Sequence, residues 1–98
     1  MAHEIIWTKR SLIRFNLIID YLQSEWGHLA TQNFINKSYH ILDLISLYPE
    51  LGSIENQEKN IRGFLITKHN RLFYRVEGNR IILLNFFDTR SGPERPNY

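Results

Sequence analysis

The amino-acid sequence predicts an α+β domain with the element order β-α-α-β-β-β, in which a helix hairpin packs on one face of a small, mainly antiparallel sheet. Three observations lead to this prediction. Apolar residues recur every three or four positions between residues 12 and 48, which is typical of amphipathic helices. From residue 61 the pattern changes to that of strands, which are rich in β-branched and aromatic residues. The segments between these elements are short, which indicates that neighbouring elements form hairpins.

A single domain is expected over residues 1–98, because one hydrophobic core usually serves a chain of this length. Hydrophobic residues make up 43% of the chain and aromatic residues 13%, which excludes a disordered protein. No internal repeat is visible.

The first strand and the first helix are predicted from residues 3 to 27. Residues 3–7 (HEIIW) read as a strand, and Thr8 is a suitable helix N-cap. Gly27 fits the left-handed position that ends a helix. The expected core stripe of this helix consists of Leu12, Phe15, Ile19, Leu22 and Trp26.

A second helix is predicted from about Leu29, ending at Pro49 and Gly52. Two helices joined by so short a connection pack antiparallel. The core stripe expected on this helix consists of Ala30, Phe34, Ile41, Leu42, Ile45 and Tyr48.

Three strands are predicted after a polar loop over residues 53–60. They cover 61–67, 71–76 and 80–87 and form an antiparallel meander, with two-residue turns at His69-Asn70 and Gly78-Asn79. The strand 80–87 is apolar on both faces, which predicts a position inside the sheet. The tail 88–98 is expected to be irregular.

Several classes of function are excluded by composition and spacing. There are no cysteines, so disulfides and thiol catalysis are impossible. The four histidines are not at metal-ligand spacing, and we expect no metal and no cofactor. No phosphate-binding loop, nucleophile elbow or pair of catalytic carboxylates is present, which weighs against a metabolic enzyme. Without an export signal or a membrane-spanning run, a cytoplasmic protein is expected.

The formal net charge of +2 conceals an uneven distribution. Residues 1–60 carry five Lys/Arg against seven Asp/Glu, a net of −2, whereas residues 61–98 carry seven against three, a net of +4. A basic C-terminal part suggests an anionic partner.

Arginines and aromatic residues are combined on the predicted meander. Arg71, Phe73 and Arg75 share one face of their strand, because strand residues alternate between faces. Such a surface suits phosphate contact and base stacking. The alternative is that these arginines only solvate an exposed sheet. The candidate contacts for a target or nucleic acid are Arg62, Lys68, Arg71, Arg75 and Arg90.

The first helix carries a second apolar stripe, formed by Ile13, Leu17 and Tyr21, roughly opposite its core stripe. A surface helix should be polar there. Either another element covers this stripe or a partner binds it.

The order of the elements and several segments together resemble the RelE/ParE superfamily of bacterial toxins from type II toxin–antitoxin modules. The segments are IIWTKRS, WGHLATQNF, LYPELG, NRLFYRV, RIILLNFF and DTRSGPE, which span almost the whole chain. The resemblance implies a toxin that is neutralised by a cognate antitoxin, as a hetero-oligomer or with the toxin as a dimer. Ile13, Leu17 and Tyr21 would then be the candidate antitoxin-binding residues.

The superfamily has two activities: one branch cuts mRNA at the ribosome, and the other inhibits DNA gyrase without cutting. For a cutting toxin, the resemblance implies catalytic roles for Arg62, Arg71, Arg90 and Tyr98. However, Phe64 stands where one cutting type has a lysine, and no general base can be identified. The sequence therefore favours a ParE-like, plasmid-stabilisation toxin that is not an enzyme. The alternatives are a ribosome-dependent endoribonuclease and a non-toxic regulatory remnant.

Overall fold

The structure, a computed structural model, describes residues 2–88 and 98. Its elements are β1 (Glu4–Trp7), α1 (Lys9–Glu25), α2 (His28–Leu47), a short 3-10 helix (Pro49–Leu51), β2 (Ser53–Asn56), β3 (Ile61–Thr67), β4 (Asn70–Glu77) and β5 (Arg80–Asp88). Two helices pack on a mixed sheet of five strands, which confirms the predicted α+β fold.

The sheet has the strand order β1-β5-β4-β3-β2. β1 pairs with β5 in parallel, and all other neighbours are antiparallel. β5 thus lies between β1 and β4, as its apolar character on both faces predicts. No helix within the described residues is long and apolar enough to cross a membrane.

The ends of α1 are fixed by the two residues that the sequence predicts for them. The hydroxyl of Thr8 accepts a hydrogen bond from Ser11 N at 3.1 Å and donates one to Leu83 O at 2.6 Å. This cap therefore also ties α1 to β5. Gly27 has φ 87°, the left-handed conformation that stops α1 and lets the chain turn back into α2.

The core lies between the helix hairpin and one face of the sheet. Three residues that the sequence assigns to it are instead exposed: Leu12 (48%), Trp26 (67%) and Tyr48 (57%). Leu12 is exposed because the buried side of α1 lies between Ser11 and Phe15, and Leu12 is about 100° from Ser11 and about 60° from Phe15 around the helix. Trp26 and Tyr48 follow the last residues of their helices, where the 3.6-residue period no longer sets the direction of a side chain. The buried core cluster consists of Phe15, Phe34, Ile41, Leu42, Ile45, Ile66, Leu72, Tyr74, Ile81, Leu83 and Phe86.

Two further expectations are corrected in the second half of the chain. Residues 53–56, predicted as part of a loop, form the edge strand β2 against β3. The first hairpin turn is Lys68-His69 rather than His69-Asn70, because Asn70 pairs with Thr67 and donates its Nδ2 to Thr67 Oγ1. The Gly78-Asn79 turn is as predicted. Asp88 belongs to β5, and most of the predicted irregular tail lies outside the described residues.

Candidate functional site

The side chains of β4 alternate between the two faces of the sheet. Leu72 and Tyr74 belong to the core beneath the helices. Arg71, Phe73 and Arg75 therefore lie on the opposite face, which we call the outer face. The face predicted for these three residues agrees with this arrangement.

Arg71 forms an ion pair that crosses the sheet. Its Nη2 lies 2.8 Å from Glu55 Oε2 and 3.0 Å from Ser53 Oγ, both on β2, two strands away. On the way it passes over Gly63 of β3, where a Cβ atom would come within 2.8 Å of Arg71 Nε. Glycine at this position therefore leaves the room that the ion pair occupies.

Arg75 is also engaged within the chain. Its Nη2 lies 2.6 Å from Glu77 Oε2, and Arg80 Nη2 lies 3.3 Å from the other oxygen of the same carboxylate. These side chains are about half exposed, so water and salt screen the attraction. Arg75 is still accessible, but a ligand would have to compete with Glu77 for it.

The aromatic part of the outer face is not a free stacking surface. Phe73 is fully buried, and the ring of Tyr98 packs edge-on against it with 5.1 Å between the ring centroids. The hydroxyl of Tyr98 donates to the carbonyl oxygen of Glu55 at 3.5 Å. The structure thus brings together Glu55, Arg71 and Tyr98, which we call the outer-face cluster.

Glu55 is the member of this cluster that sequence reasoning missed. It lies in a polar segment that shows no strand pattern, and its position becomes clear only from the pairing of β2 with β3. Its carboxylate is the nearest acidic partner of Arg71 among the described residues.

Arg62 lies apart from this cluster, on the side of the sheet that faces the helices. It is paired in register with Tyr74. Its Nη1 donates to Glu50 O at 3.2 Å and to Gly52 O at 2.8 Å. These hydrogen bonds connect β3 to the segment around the end of the 3-10 helix. Arg62 and Arg71 are therefore on opposite faces of the sheet.

Tyr74 completes the same structural unit. Its hydroxyl donates to Pro49 O at 2.7 Å and accepts from Gly52 N at 2.9 Å. Burial raises the pKa of Tyr74, and the hydrogen bond from Gly52 and the positive charge of Arg62 oppose this rise. The surroundings of Arg62 are thus those of a structural residue.

Lys68 is exposed in the turn between β3 and β4, and a cleft of about 390 Å³ lies beside this turn. The cleft, which we call the tip cleft, separates the turn from the tip of the helix hairpin. Its lining is largely apolar, and several polar side chains also contribute to it. It is lined by Leu22, Trp26, Ala30, Asn33, Phe34, Lys37, Thr67, His69 and Asn70.

The second stripe of α1 lies on the surface, as its position on the helix predicts. Ile13, Leu17 and Tyr21 are 49%, 54% and 44% exposed. Lys9 and Arg14 are exposed on the same half of α1, and its first turn contains no acidic residue. The stripe is therefore apolar with basic residues around its N-terminal end.

The remaining candidates add little to this picture. Arg90 lies outside the described residues. Within residues 2–88 and 98, no group of three histidine, aspartate or glutamate side chains is placed to hold a metal ion.

Comparison with known proteins gives a consistent result. The family of the ParE toxin of type II toxin–antitoxin system, parDE, matches residues 5–92. No curated protein matches the chain significantly. Among solved structures, a chain of the chromosomal ParDE toxin–antitoxin system of P. aeruginosa is similar with a TM-score of 0.74 and 12% identity, over 91% of this chain and 98% of that one.

Two other toxins share the fold. The YoeB/ParE toxin from Agrobacterium tumefaciens has a TM-score of 0.61 and 15% identity, over 87% of this chain and 96% of that one. The YoeB dimer from Staphylococcus aureus has a TM-score of 0.63 and 15% identity, over 89% of this chain and 97% of that one.

Proposed function

This chain belongs to the ParE toxin family of type II toxin–antitoxin systems, and we propose that it arrests growth by binding and inhibiting a large target, DNA gyrase, without cutting RNA. Its partner in the resting cell is the cognate antitoxin. Both the target and the antitoxin would be met in the cytoplasm.

The separation of Arg62 from Arg71 carries this proposal. Cleavage of RNA by a 2′-hydroxyl requires cations that converge on one phosphate, where negative charge develops in the transition state. Arg62 donates to backbone carbonyls on the helix side of the sheet, whereas Arg71 is paired with Glu55 on the outer face. Two side chains on opposite faces cannot contact the same phosphate.

The outer-face cluster favours a second candidate, a ribosome-dependent endoribonuclease. Glu55 would take the proton from the 2′-hydroxyl as its oxygen bonds to phosphorus, and Arg71 would stabilise the charged phosphorus centre. The P–O5′ bond would break, and the leaving 5′-oxygen would take a proton from water. Tyr98 would lie beside them. In this second candidate the Glu55 carboxylate is already paired with Arg71 at 2.8 Å. The substrate phosphate would therefore have to displace Glu55 from Arg71.

Glu55→Gln separates the two candidates. Glutamine keeps the shape of the side chain but cannot act as a base, so a nuclease should lose about 100-fold or more of its activity. A toxin that acts by binding should still arrest growth. Glu58→Gln, which makes the same charge change in the exposed turn before β3, is the control.

The target itself is tested by inducing the wild-type chain in a bacterial host and measuring plasmid supercoiling and mRNA integrity in the same culture. Relaxed plasmid with intact mRNA is the expected result. Cuts at defined positions within codons would refute the proposal in favour of the nuclease. Normal growth on induction would refute both toxin mechanisms and support the third alternative, a non-toxic regulatory remnant.

We further propose that the antitoxin binds the α1 stripe of Ile13, Leu17 and Tyr21. An amphipathic helix with acidic flanks would cover these exposed side chains and meet Lys9 and Arg14. Ile13→Asp should weaken the affinity for the antitoxin by about 30-fold, because it places a charge where an apolar side chain is buried in the interface. Gln23→Asp, on the same helix outside the stripe, should have little effect, and equal affinities of the two variants would rule out this docking site.

We also propose that the chain forms a dimer or a hetero-oligomer with the antitoxin. The structure of YoeB from Staphylococcus aureus is that of a dimer. Light scattering of the purified chain, whose monomer mass is 11.8 kDa, distinguishes a monomer from a dimer and gives the stoichiometry with the antitoxin.

A further inference from the structure

The tip of the helix hairpin exposes the two most accessible large hydrophobic side chains among the described residues. Trp26 is 67% exposed and Leu29 is 75% exposed, on either side of Gly27. Tryptophan is the residue type most enriched among the side chains that dominate binding energy at protein interfaces. Its position at an exposed tip, next to a cleft, marks this end of the molecule as a candidate contact surface.

The tip cleft has the size and the chemistry of a recognition site for one large side chain and its neighbours. Its volume of about 390 Å³ is within the range of ligand sites in proteins. Leu22, Trp26 and Phe34 supply an apolar wall.

Two lysines lie at the tip cleft. Lys37 lines it, and Lys68 is exposed in the adjoining turn. None of the lining residues is acidic. Between residues 2 and 88, Lys37 and Lys68 form no ion pair, unlike Arg71, Arg75 and Arg80. An occupant that places a carboxylate beside Lys37 would meet an ammonium group that has no acidic partner among the described residues.

We propose that the tip cleft binds an acidic segment of the target protein, which inserts one aliphatic or aromatic side chain against Trp26 and places a carboxylate near Lys37. This inference rests on the proposed function, a toxin that acts by binding. It locates the contact with the target at the helix tip and includes the candidate residue Lys68. A protein is favoured over a nucleic acid because the cleft is concave and mainly apolar, whereas a nucleic-acid backbone requires a row of cations.

Three variants test the site in the intact chain: Trp26→Ala, Lys37→Glu and, as a matched control, Lys59→Glu. Lys59 is exposed in the turn that precedes β3, at the end of the strand opposite to Lys68. Each variant is induced in a bacterial host, its folding is checked by thermal denaturation, and its neutralisation by the co-expressed antitoxin is measured. Trp26→Ala and Lys37→Glu should weaken target binding by about 30-fold and about 10-fold, from the usual sizes of such effects.

The expected result is that both cleft variants fold normally and lose growth arrest, whereas Lys59→Glu remains toxic. Three results would overturn the inference: cleft variants as toxic as the wild type, toxic cleft variants that escape the antitoxin, and an equal loss of toxicity in Lys59→Glu. Binding of a labelled single-stranded RNA is measured in parallel. Its loss in cleft variants that still arrest growth would assign the cleft to nucleic acid instead.

Failure of the proposed function is recognised separately. Wild-type toxicity with mRNA cleavage and unaffected supercoiling would refute the binding mechanism and its target. Loss of arrest in the cleft variants together with loss of mRNA cleavage would then assign the cleft to the nuclease and overturn the inference as well. A wild-type chain that does not arrest growth would overturn both proposals.

Discussion

One hydroxyl group joins three segments where the chain leaves α2. The side chain of Tyr74 is fully buried, and its hydroxyl donates to Pro49 O and accepts from Gly52 N. Tyr74→Phe removes both hydrogen bonds and leaves a buried N–H without an acceptor, so the free energy of unfolding should fall by about 1–3 kcal/mol. Urea denaturation measures this change. Tyr39→Phe, at an exposed position, should change it by less than about 0.5 kcal/mol, and an equal loss in both variants would contradict the assignment.

The contribution of Tyr74 to stability should depend on pH in the alkaline range. Burial raises the pKa of Tyr74 above its usual value of about 10, so the unfolded chain releases this proton before the folded chain does. The contribution of the neutral hydroxyl is complete below about pH 10 and is lost as the pH rises through the folded-state pKa. The difference in unfolding free energy between wild type and Tyr74→Phe should therefore be constant near neutral pH and narrow above about pH 10. Urea titrations across this range that show a widening difference would contradict it.

The face of the sheet on which a side chain lies could be predicted from the sequence, but the partners of individual side chains could not. Simple alternation puts Arg71 on the outer face. That Arg71 would reach Glu55 depends on the register of three strands and on a glycine between them. Arg62 shows the same limit, because its acceptors are backbone carbonyls that carry no sequence signature.

At the scale of elements, β2 pairs with only one neighbouring strand within the described part of the chain. Its pairing with β3 is irregular between Ile54 and Asn56, and the ion pair of Glu55 with Arg71 adds a connection to β4. Glu55→Gln weakens that connection, which is partly exposed and therefore contributes at most about 1 kcal/mol. Amide hydrogen exchange in residues 53–56 should accelerate about two- to fivefold, as such an energy implies. Glu58→Gln should leave the exchange rates unchanged, and equal rates for β2 in both variants would show that the ion pair does not hold the strand.

The elements that the sequence predicts well are those whose faces differ in burial. β5 is recognised because it is apolar on both sides, and α1 because one side is buried while the second stripe is not. β2 is missed because an edge strand with an exposed Ile54 and polar neighbours has no periodic pattern to detect. The burial of Trp26 and Tyr48 is predicted wrongly for a related reason, because both residues follow the last residue of a helix and the helical period does not extend to them.

For the whole molecule, the acidic and basic parts of the sequence are not two separate surfaces. The basic meander receives an acidic strand from the first part of the chain, and Glu55 of that strand neutralises Arg71. Glu77 pairs with both Arg75 and Arg80 within the meander and offsets one of their two positive charges. The basic side chains of residues 61–88 therefore do not form one continuous positive patch.

This arrangement predicts weak binding to nucleic acids that becomes stronger when Arg71 is released. The wild-type chain should bind a labelled DNA duplex with a Kd on the order of 10⁻⁴ M at physiological salt, the weak end of sequence-independent binding. Glu55→Gln frees one guanidinium for a phosphate, which should steepen the slope of log K against log salt concentration by about 0.9. Glu58→Gln makes the same change in net charge but leaves Arg71 paired, so its slope should match that of the wild type. Fluorescence anisotropy over a series of salt concentrations measures all three chains. Equal slopes for the two variants would mean that Glu55 does not control the charge that Arg71 presents to a ligand.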